Sequence, residues 1–90
     1  MTSSPAPLRL LYFAWLRERV GLAEEDVAPP PDVTTVGDLV TWLCARSPRH
    51  GAAFTAGATI RYAVNQEFAG PESPLAAGDE VAFFPPITGG

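Results

Sequence analysis

The most regular pattern of hydrophobic and polar positions lies mid-chain, where apolar residues recur at i, i+3, i+4, i+7 and i+8. Such a single stripe is typical of a helix packed on a core. The stripe consists of Val36, Leu39, Val40, Leu43 and Cys44. Thr35 and Asp38 have the spacing of a capping box, and Ser47-Pro48 follows the last apolar position. The pattern predicts one main helix between these signals, and the Ala-rich residues 50–56 add a short, weak turn of helix.

Four other apolar stretches are typical of strands, and turn residues separate them. They cover residues 8–13, 23–28, 60–68 and 80–84. Gly21 predicts a hairpin turn between the first two strands. Three consecutive prolines stop the second strand, because proline lacks the N–H that a ladder needs. Gly78-Asp79 turns the chain into the last strand.

The order of elements is therefore β-β-α-β-β, which predicts an α+β fold with one main helix on one face of a mixed sheet. The first and last strands are long and apolar, so we expect them side by side in the centre. This arrangement is the ubiquitin-like β-grasp. We expect a flexible tail over residues 1–7, a β-grasp domain over 8–84 and an extended tail over 85–90.

Alternation assigns the residues of the two central strands to opposite faces of the sheet. The predicted helix face takes Leu8, Leu10, Tyr12, Val81 and Phe83. The opposite face then carries Leu11, Phe13, Ala82 and Phe84. Such an apolar surface indicates either a protein partner or a core that loops or the Ala-rich segment extend, and the alternation does not separate these readings.

Composition excludes several classes of function. The 90 residues carry a net charge of −4, and all six basic residues are arginines without a basic run, which argues against nucleic-acid binding. One cysteine and one histidine exclude an internal disulfide, a cysteine cluster and a two-histidine metal site, so we expect no bound metal or cofactor. No segment has the length of a membrane span or the pattern of a secretory signal, so we expect a cytoplasmic protein.

Few side chains offer chemistry of their own. Cys44 lies on the predicted buried stripe, where a free cysteine acts as a small apolar residue. His50, beside Arg49, is interpreted as a surface residue in a loop. Asp79 and Glu80 are adjacent strand residues that point to opposite faces, so they do not form an acid–base pair, and a role in the turn is favoured.

The C-terminal residues have an unusual pattern. Pro85-Pro86 stiffens the exit from the last strand into an extended form, and Gly89-Gly90 carries no side chains. A slender arm that ends in a bare carboxylate suits insertion into another protein's active site, whereas many termini are simply frayed. The proline spacer after an apolar strand favours the arm.

The sequence resembles the small, MoaD-type sulfur-carrier subunits of molybdopterin synthases over nearly the whole chain after residue 7. The supporting motifs are Leu10-Leu11-Tyr12-Phe13-Ala14 with Leu16-Arg17-Glu18, and Ala63-Val64-Asn65-Gln66. The most specific motif runs from Gly78-Asp79-Glu80 through Phe83-Phe84-Pro85-Pro86 to Gly89-Gly90. The N-terminal Ser/Pro extension and the triple proline depart from the family pattern and leave this ending intact.

The resemblance implies chemistry at the C-terminal carboxylate of Gly90, with Gly89 keeping the arm slender. A ubiquitin-activating-type adenylyltransferase, using ATP and Mg²⁺, would form an acyl-adenylate, and a persulfide donor would convert it to a thiocarboxylate. The large synthase subunit, in a heterotetramer, would use this sulfur on the cyclic pterin monophosphate precursor of the molybdenum cofactor. The catalytic side chains would belong to these partners. The predicted partner contacts are Phe13, Phe68, Phe84, Pro85, Pro86, Ile87 and Thr88.

Two other readings stay open at this stage. A thiocarboxylate carrier for thiamine thiazole synthesis, cysteine synthesis or protein tagging would share Gly89-Gly90, usually without the Phe-Phe-Pro-Pro approach. A non-covalent ubiquitin-like interaction module would not need Gly90 at all. No Ser/His/Asp or Cys/His arrangement supports a hydrolase.

Overall fold

The structure is a computed structural model that describes residues 6–86. It contains five strands and three helices in that range. They are β1 (Leu8–Tyr12), α1 (Trp15–Val20), β2 (Glu24–Val27), α2 (Val36–Arg46), α3 (Pro48–Phe54), β3 (Arg61–Val64), β4 (Glu67–Ala69) and β5 (Glu80–Phe84). The predicted contacts at Ile87 and Thr88 and the predicted reactive terminus at Gly89 and Gly90 lie outside the described residues.

The five strands form one mixed sheet in the order β2-β1-β5-β3-β4. β1 and β5 are parallel neighbours, with Leu10 opposite Val81 and Tyr12 opposite Phe83. The other neighbouring pairs are antiparallel. The prediction that the first and last strands lie side by side in the centre is confirmed, and so is the α+β β-grasp architecture.

The core lies between this sheet and the helices. Leu10, Tyr12, Val81 and Phe83 on the sheet are buried against Leu39 and other apolar residues of the three helices. Because buried residues alternate with less buried ones along β1 and β5, the helix face of the sheet is the one that alternation predicts.

Aromatic rings fill the centre of the core around Phe83. The ring of Tyr12 stacks on it with centroids 5.5 Å apart and an interplanar angle of 15°. Phe54 and Tyr62 meet it edge to face, at centroid distances of 5.1 and 5.8 Å. Offset stacks and edge-to-face contacts are the favoured aromatic geometries, so Phe83 is the best-contacted ring in this aromatic group.

Helix α2 begins with the predicted capping box. The Asp38 backbone N–H donates to the Thr35 hydroxyl at 3.1 Å, and the Asp38 carboxylate accepts from the backbone N–H groups of Thr34 and Thr35 at 3.1 and 3.2 Å. These hydrogen bonds, the one from the Thr34 N–H first, hold the pKa of Asp38 below its usual value. Val36 and Leu39 are fully buried on the apolar side of the helix, as the stripe predicts.

Helix α1 was not predicted, since the sequence indicated only a long hairpin loop between β1 and β2. The helix has six residues, and its first residue follows Ala14, which offers no capping side chain. It buries Leu16 and Val20 and ends at Gly21, whose φ of 88° is the left-handed conformation that favours glycine. The predicted turn at Gly21 is thus a helix C-cap.

The single strand predicted over residues 60–68 is wrong, because the chain reverses within it. Asn65 and Gln66 have φ values of 50° and 70°, as the central residues of a type I′ hairpin turn require, and Val64 pairs with Glu67. Glutamine is rare at positive φ, so the sequence carries only a weak signal for this turn. The result is the β3–β4 hairpin at one edge of the sheet.

The weak helical turn predicted over residues 50–56 is a seven-residue helix, α3. Ser47 caps it by accepting from the His50 backbone N–H at 3.4 Å, and Pro48 occupies the first turn, where its missing N–H costs nothing. Ala53 is buried against the same core as α2. Among residues 6–86, no helix is long and apolar enough to cross a membrane.

Candidate functional site: an apolar sheet face beside the C-terminal segment

The sheet surface opposite the helices carries the predicted contact residues. We call the side chains there that belong to Leu11, Phe13, Phe68, Ala82 and Phe84 the outward face. Phe68 is 84% exposed and Phe13 is 48% exposed, while Phe84 is half-buried. The rings of Phe68 and Phe84 have centroids 6.1 Å apart, so they form one continuous apolar surface.

Helix α3 does not cover this surface. Its buried residues, His50 and Ala53, point into the core between the sheet and the other helices. Of the two readings that alternation left open, an extension of the core over the outward face therefore fails for residues 6–86. Phe68, which is 84% exposed, adjoins Phe84, and a continuous apolar patch of this kind is typical of a binding surface.

The polarity of the sheet surface changes along the strands. At the start of β5 the surface is charged, where Arg9 bonds Glu24 at 2.6 Å and lies 3.6 Å from Asp26. At the end of β5 it is aromatic. The apolar end of the outward face thus lies where the chain leaves the sheet toward its C-terminus.

A shallow depression marks that exit. It is lined by Arg61, Tyr62, Phe68, Ala69, Phe84 and Pro86. Pro85 and Pro86 are both partly buried directly after β5. The predicted contacts at Phe68, Phe84 and Pro86 are thus brought together. The backbone of Phe13 lies beside the end of β5, because its N–H donates to the Phe83 carbonyl at 3.1 Å.

The start of β5 is fixed by polar contacts with the β3–β4 turn. The Asn65 side-chain amide donates to the Asp79 carboxylate at 3.0 Å, and its carbonyl accepts from the Glu80 N–H at 3.0 Å. The second Asp79 oxygen accepts from the Ala76 N–H at 2.8 Å. Asp79 therefore serves the turn, as the sequence favours, and the strand that leads to the C-terminus is held at its beginning.

The interpretation of His50 as a surface residue is wrong. The side chain is buried, with the residue 7% exposed, and its Nε2 lies 2.7 Å from Glu25 Oε2 and 3.2 Å from the Tyr12 hydroxyl. The Tyr12 hydroxyl donates to the same Glu25 oxygen at 2.8 Å, while His50 Nδ1 has no hydrogen-bond partner among the described residues. This cluster ties α3 to β1 and β2 inside the core, away from the outward face.

Burial raises the pKa of the Tyr12 hydroxyl well above its usual range, and the hydrogen bond to Glu25 and the charge of Glu25 act in the same direction. The pKa of the Cys44 thiol is also raised by burial. A raised thiol pKa leaves less of the reactive thiolate, so Cys44 fits the predicted apolar role better than a role in sulfur transfer. Among residues 6–86, no three His, Cys, Asp or Glu side chains gather closely enough to hold a metal ion.

Replacing Tyr12 with phenylalanine is expected to flatten the loss of stability at alkaline pH. The unfolded chain ionises Tyr12 near its ordinary pKa of about 10, while the folded protein ionises it only at higher pH. The contribution of Tyr12 to stability is thus fully present below about pH 10 and falls as pH rises, by at most about 1.4 kcal/mol per pH unit. Urea unfolding between about pH 9 and 11 measures this slope.

Tyr62→Phe is the matched control for this experiment. Burial also raises the pKa of Tyr62, but less of its ring is buried, so its removal should change the slope less. Equal slopes in the wild type and in Tyr12→Phe would contradict the expectation.

A β-grasp domain with an uncovered aromatic face beside its C-terminal segment defines a ubiquitin-like protein. The sequence profile of the ThiS family matches residues 10–90. The chain therefore belongs to the ThiS family, and the resemblance to molybdopterin synthase sulfur carriers is confirmed by relatives that bear that name.

The chain is 43% identical to the molybdopterin synthase sulfur carrier subunit of Escherichia coli over 83 residues, which cover 92% of this chain and 99% of that protein. Among solved structures, it is similar to small archaeal modifier protein 1 of Haloferax volcanii, with a TM-score of 0.71, 31% identity and coverage of 91% and 99%. A putative molybdopterin converting factor subunit 1 from Pyrococcus furiosus gives a TM-score of 0.72 at 27% identity, with coverage of 91% and 99%.

Proposed function

We propose that the chain is the sulfur-carrier subunit of a molybdopterin synthase, and that it donates sulfur without catalysing the transfer itself. The 43% identity to a carrier of that name over 92% of the chain supports this function. In the structure, the proposed function is supported by the position of the apolar end of the outward face, which borders Pro86 where the chain leads into its last residues. A large synthase subunit is the partner that this function requires.

In this proposal the reactive group is the carboxylate of Gly90. A carboxylate is a poor electrophile, because it would have to expel oxide. An adenylyltransferase of the ubiquitin-activating type transfers AMP from ATP to it with release of pyrophosphate. Sulfur from a persulfide donor then attacks the carbonyl carbon, and the bond to AMP breaks. A thiol reduces the resulting acyl disulfide, which leaves the thiocarboxylate and a disulfide between the thiol and the donor. Activation thus divides one difficult substitution into easier steps.

The outward face and the C-terminal segment have separate roles in this proposal. Phe13, Phe68 and Phe84 dock on the partner, and residues 85–88 carry the terminus into its active site. Gly89 and Gly90 fit a narrow channel because they have no side chains. The thiocarboxylate sulfur then attacks the cyclic pterin monophosphate precursor inside the large subunit, in an assembly of two small and two large subunits.

Mass spectrometry of the intact protein and of its C-terminal peptide tests the proposed function. After incubation with the activating enzyme, ATP, Mg²⁺ and a sulfur donor, we expect one oxygen at Gly90 to be replaced by sulfur. The change should be absent without ATP and in a chain that lacks Gly90. The peptide is needed because oxidation of Met1 gives nearly the same mass change. An unmodified terminus with a demonstrably active enzyme would refute the carrier function.

A second candidate function is protein modification, which the likeness to small archaeal modifier protein 1 favours. Both functions begin with an activated Gly90 and differ in the acceptor, which is a sulfur donor in one case and a protein amine in the other. Molybdopterin formed from the thiocarboxylate with the large subunit present would support the sulfur-carrier function, and amide-linked protein conjugates would support modification.

A further inference from the structure

The basic residues of the chain supply no side-chain amine that could attack an activated C-terminus. An acyl-adenylate or thioester at Gly90 reacts with a neutral amine: nitrogen attacks the carbonyl carbon, the bond to AMP or to the thiol breaks, and the proton goes to solvent. All six basic residues are arginines, and the chain contains no lysine. A guanidinium stays protonated and has no free electron pair to offer, so no side chain of this protein supplies such an amine.

The tyrosine and cysteine side chains are buried or partly buried. Tyr12 is buried, Tyr62 is partly buried, and burial raises the pKa of both hydroxyls. The thiol of Cys44 is partly buried on α2, and burial raises its pKa as well. Since the ionised forms are the reactive ones, each of these groups is less nucleophilic in the folded protein than in a free peptide.

Serine and threonine hydroxyls need a neighbouring base before they attack a carbonyl. The single imidazole of the chain, His50, is buried, and its Nε2 contacts Glu25 and Tyr12. Ser47, its near neighbour, accepts a hydrogen bond from the His50 backbone N–H and not from the ring. The imidazole is therefore unavailable to activate a surface hydroxyl.

We infer that this chain is a donor that does not act as its own acceptor: no side chain of one copy captures the activated C-terminus of another. The inference rests on the proposed activation at Gly90. It predicts that activated chains do not polymerise through their side chains, and that a copy attached to another protein does not receive a second copy on a side chain. Hydrolysis is then the side reaction that competes with transfer.

The test uses the full chain with a thioester installed chemically at Gly90 and an acetylated N-terminus, so that side chains are the only acceptors. Three proteins are incubated alone: the wild type, Arg17→Lys and Arg61→Lys, which place an amine at two exposed positions. At about pH 8.5 roughly 1% of a lysine is the free amine, and the neutral fraction of an arginine is smaller by at least about a hundredfold. Intact mass and peptide mapping report every amide, ester or thioester linkage.

For the wild type, we expect the thioester to be lost to hydrolysis alone. Both lysine variants should form amide linkages at least about tenfold faster than any linkage forms in the wild type, because lysine has at least about a hundredfold more free amine than arginine. A wild-type linkage mapped to Cys44, a tyrosine or a hydroxyl would overturn the inference. Lysine variants that also form no linkage would overturn it too, because the missing amines would not be what protects the chain. Since the thioester is installed without the activating enzyme, either result is independent of whether the proposed function holds.

Discussion

Replacing Phe83 with alanine is expected to lower the free energy of unfolding by about 3–5 kcal/mol, the usual cost of removing a fully buried aromatic ring. Phe83 is completely buried in β5, and three rings contact it: Tyr12 in a stack and Phe54 and Tyr62 edge to face. These rings belong to β1, α3 and β3, so no single neighbour can move in and close the cavity. A domain of this size has a total stability of about 5–15 kcal/mol, so the variant loses a large share of it.

Urea unfolding of the wild type, Phe83→Ala and Phe83→Leu measures this effect. Leucine keeps most of the buried apolar volume and should cost clearly less than alanine. Phe84→Ala is the matched control on the other face of the same strand, where the ring is only half-buried. Similar losses for Phe83→Ala and Phe84→Ala would show that the two faces of β5 do not differ as the structure indicates.

The parts of the fold that sequence predicted correctly depend on patterns that extend over several residues. The α2 stripe repeats over more than two turns and is preceded by a side-chain cap at Thr35, and both signals are local. The alternation in β1 and β5 likewise assigned Tyr12 and Phe83 to the core and Phe13 and Phe84 to the opposite face. Long, regular patterns leave few alternative structures, so they are the reliable part of such a prediction.

The errors occurred where the local signal is short or where tertiary contacts decide the structure. Helix α1 has six residues and no capping side chain, so its stability comes from the burial of Leu16 and Val20. The burial of His50 depends on Glu25 and Tyr12, which are 25 and 38 residues away in the sequence. The sequence contained one indication of this cluster: Tyr12 lies on the predicted core face, and its hydroxyl needs a polar partner inside the core.

The incorrect prediction of a single strand over residues 60–68 affects the candidate site. In the continuous strand predicted over residues 60–68, Tyr62 and Phe68 would share a face, since they are an even number of residues apart. The turn at Asn65-Gln66 changes this relation. Tyr62 now meets Phe83 inside the core, while Phe68, opposite Ala63, joins Phe84 on the outward face. The family resemblance selected Phe68 as a contact, and the hairpin gives the physical reason for its exposure.

Replacing Phe68 or Phe84 with alanine is expected to weaken binding to the large synthase subunit about 30-fold or more, the effect of losing an aromatic hot spot worth at least about 2 kcal/mol. The two rings adjoin each other and line the depression beside Pro86, so both should be desolvated when the C-terminal segment enters the partner. Phe68 is 84% exposed in the free protein, so its removal should leave the free energy of unfolding almost unchanged.

Isothermal titration calorimetry with the cognate large subunit measures the change in affinity, and Asp26→Ala provides the matched control. Asp26 lies on the same side of the sheet but at its charged end, opposite Arg9 and near the start of β5, so its loss should change the affinity little. Binding that is unaffected by both Phe68→Ala and Phe84→Ala would remove the outward face from the interface. Weaker binding by Asp26→Ala alone would instead place the partner at the charged end, far from the exit of the C-terminal segment. Because the phenylalanine variants retain residues 85–90, a loss of affinity in them separates docking by the sheet from insertion of the terminus.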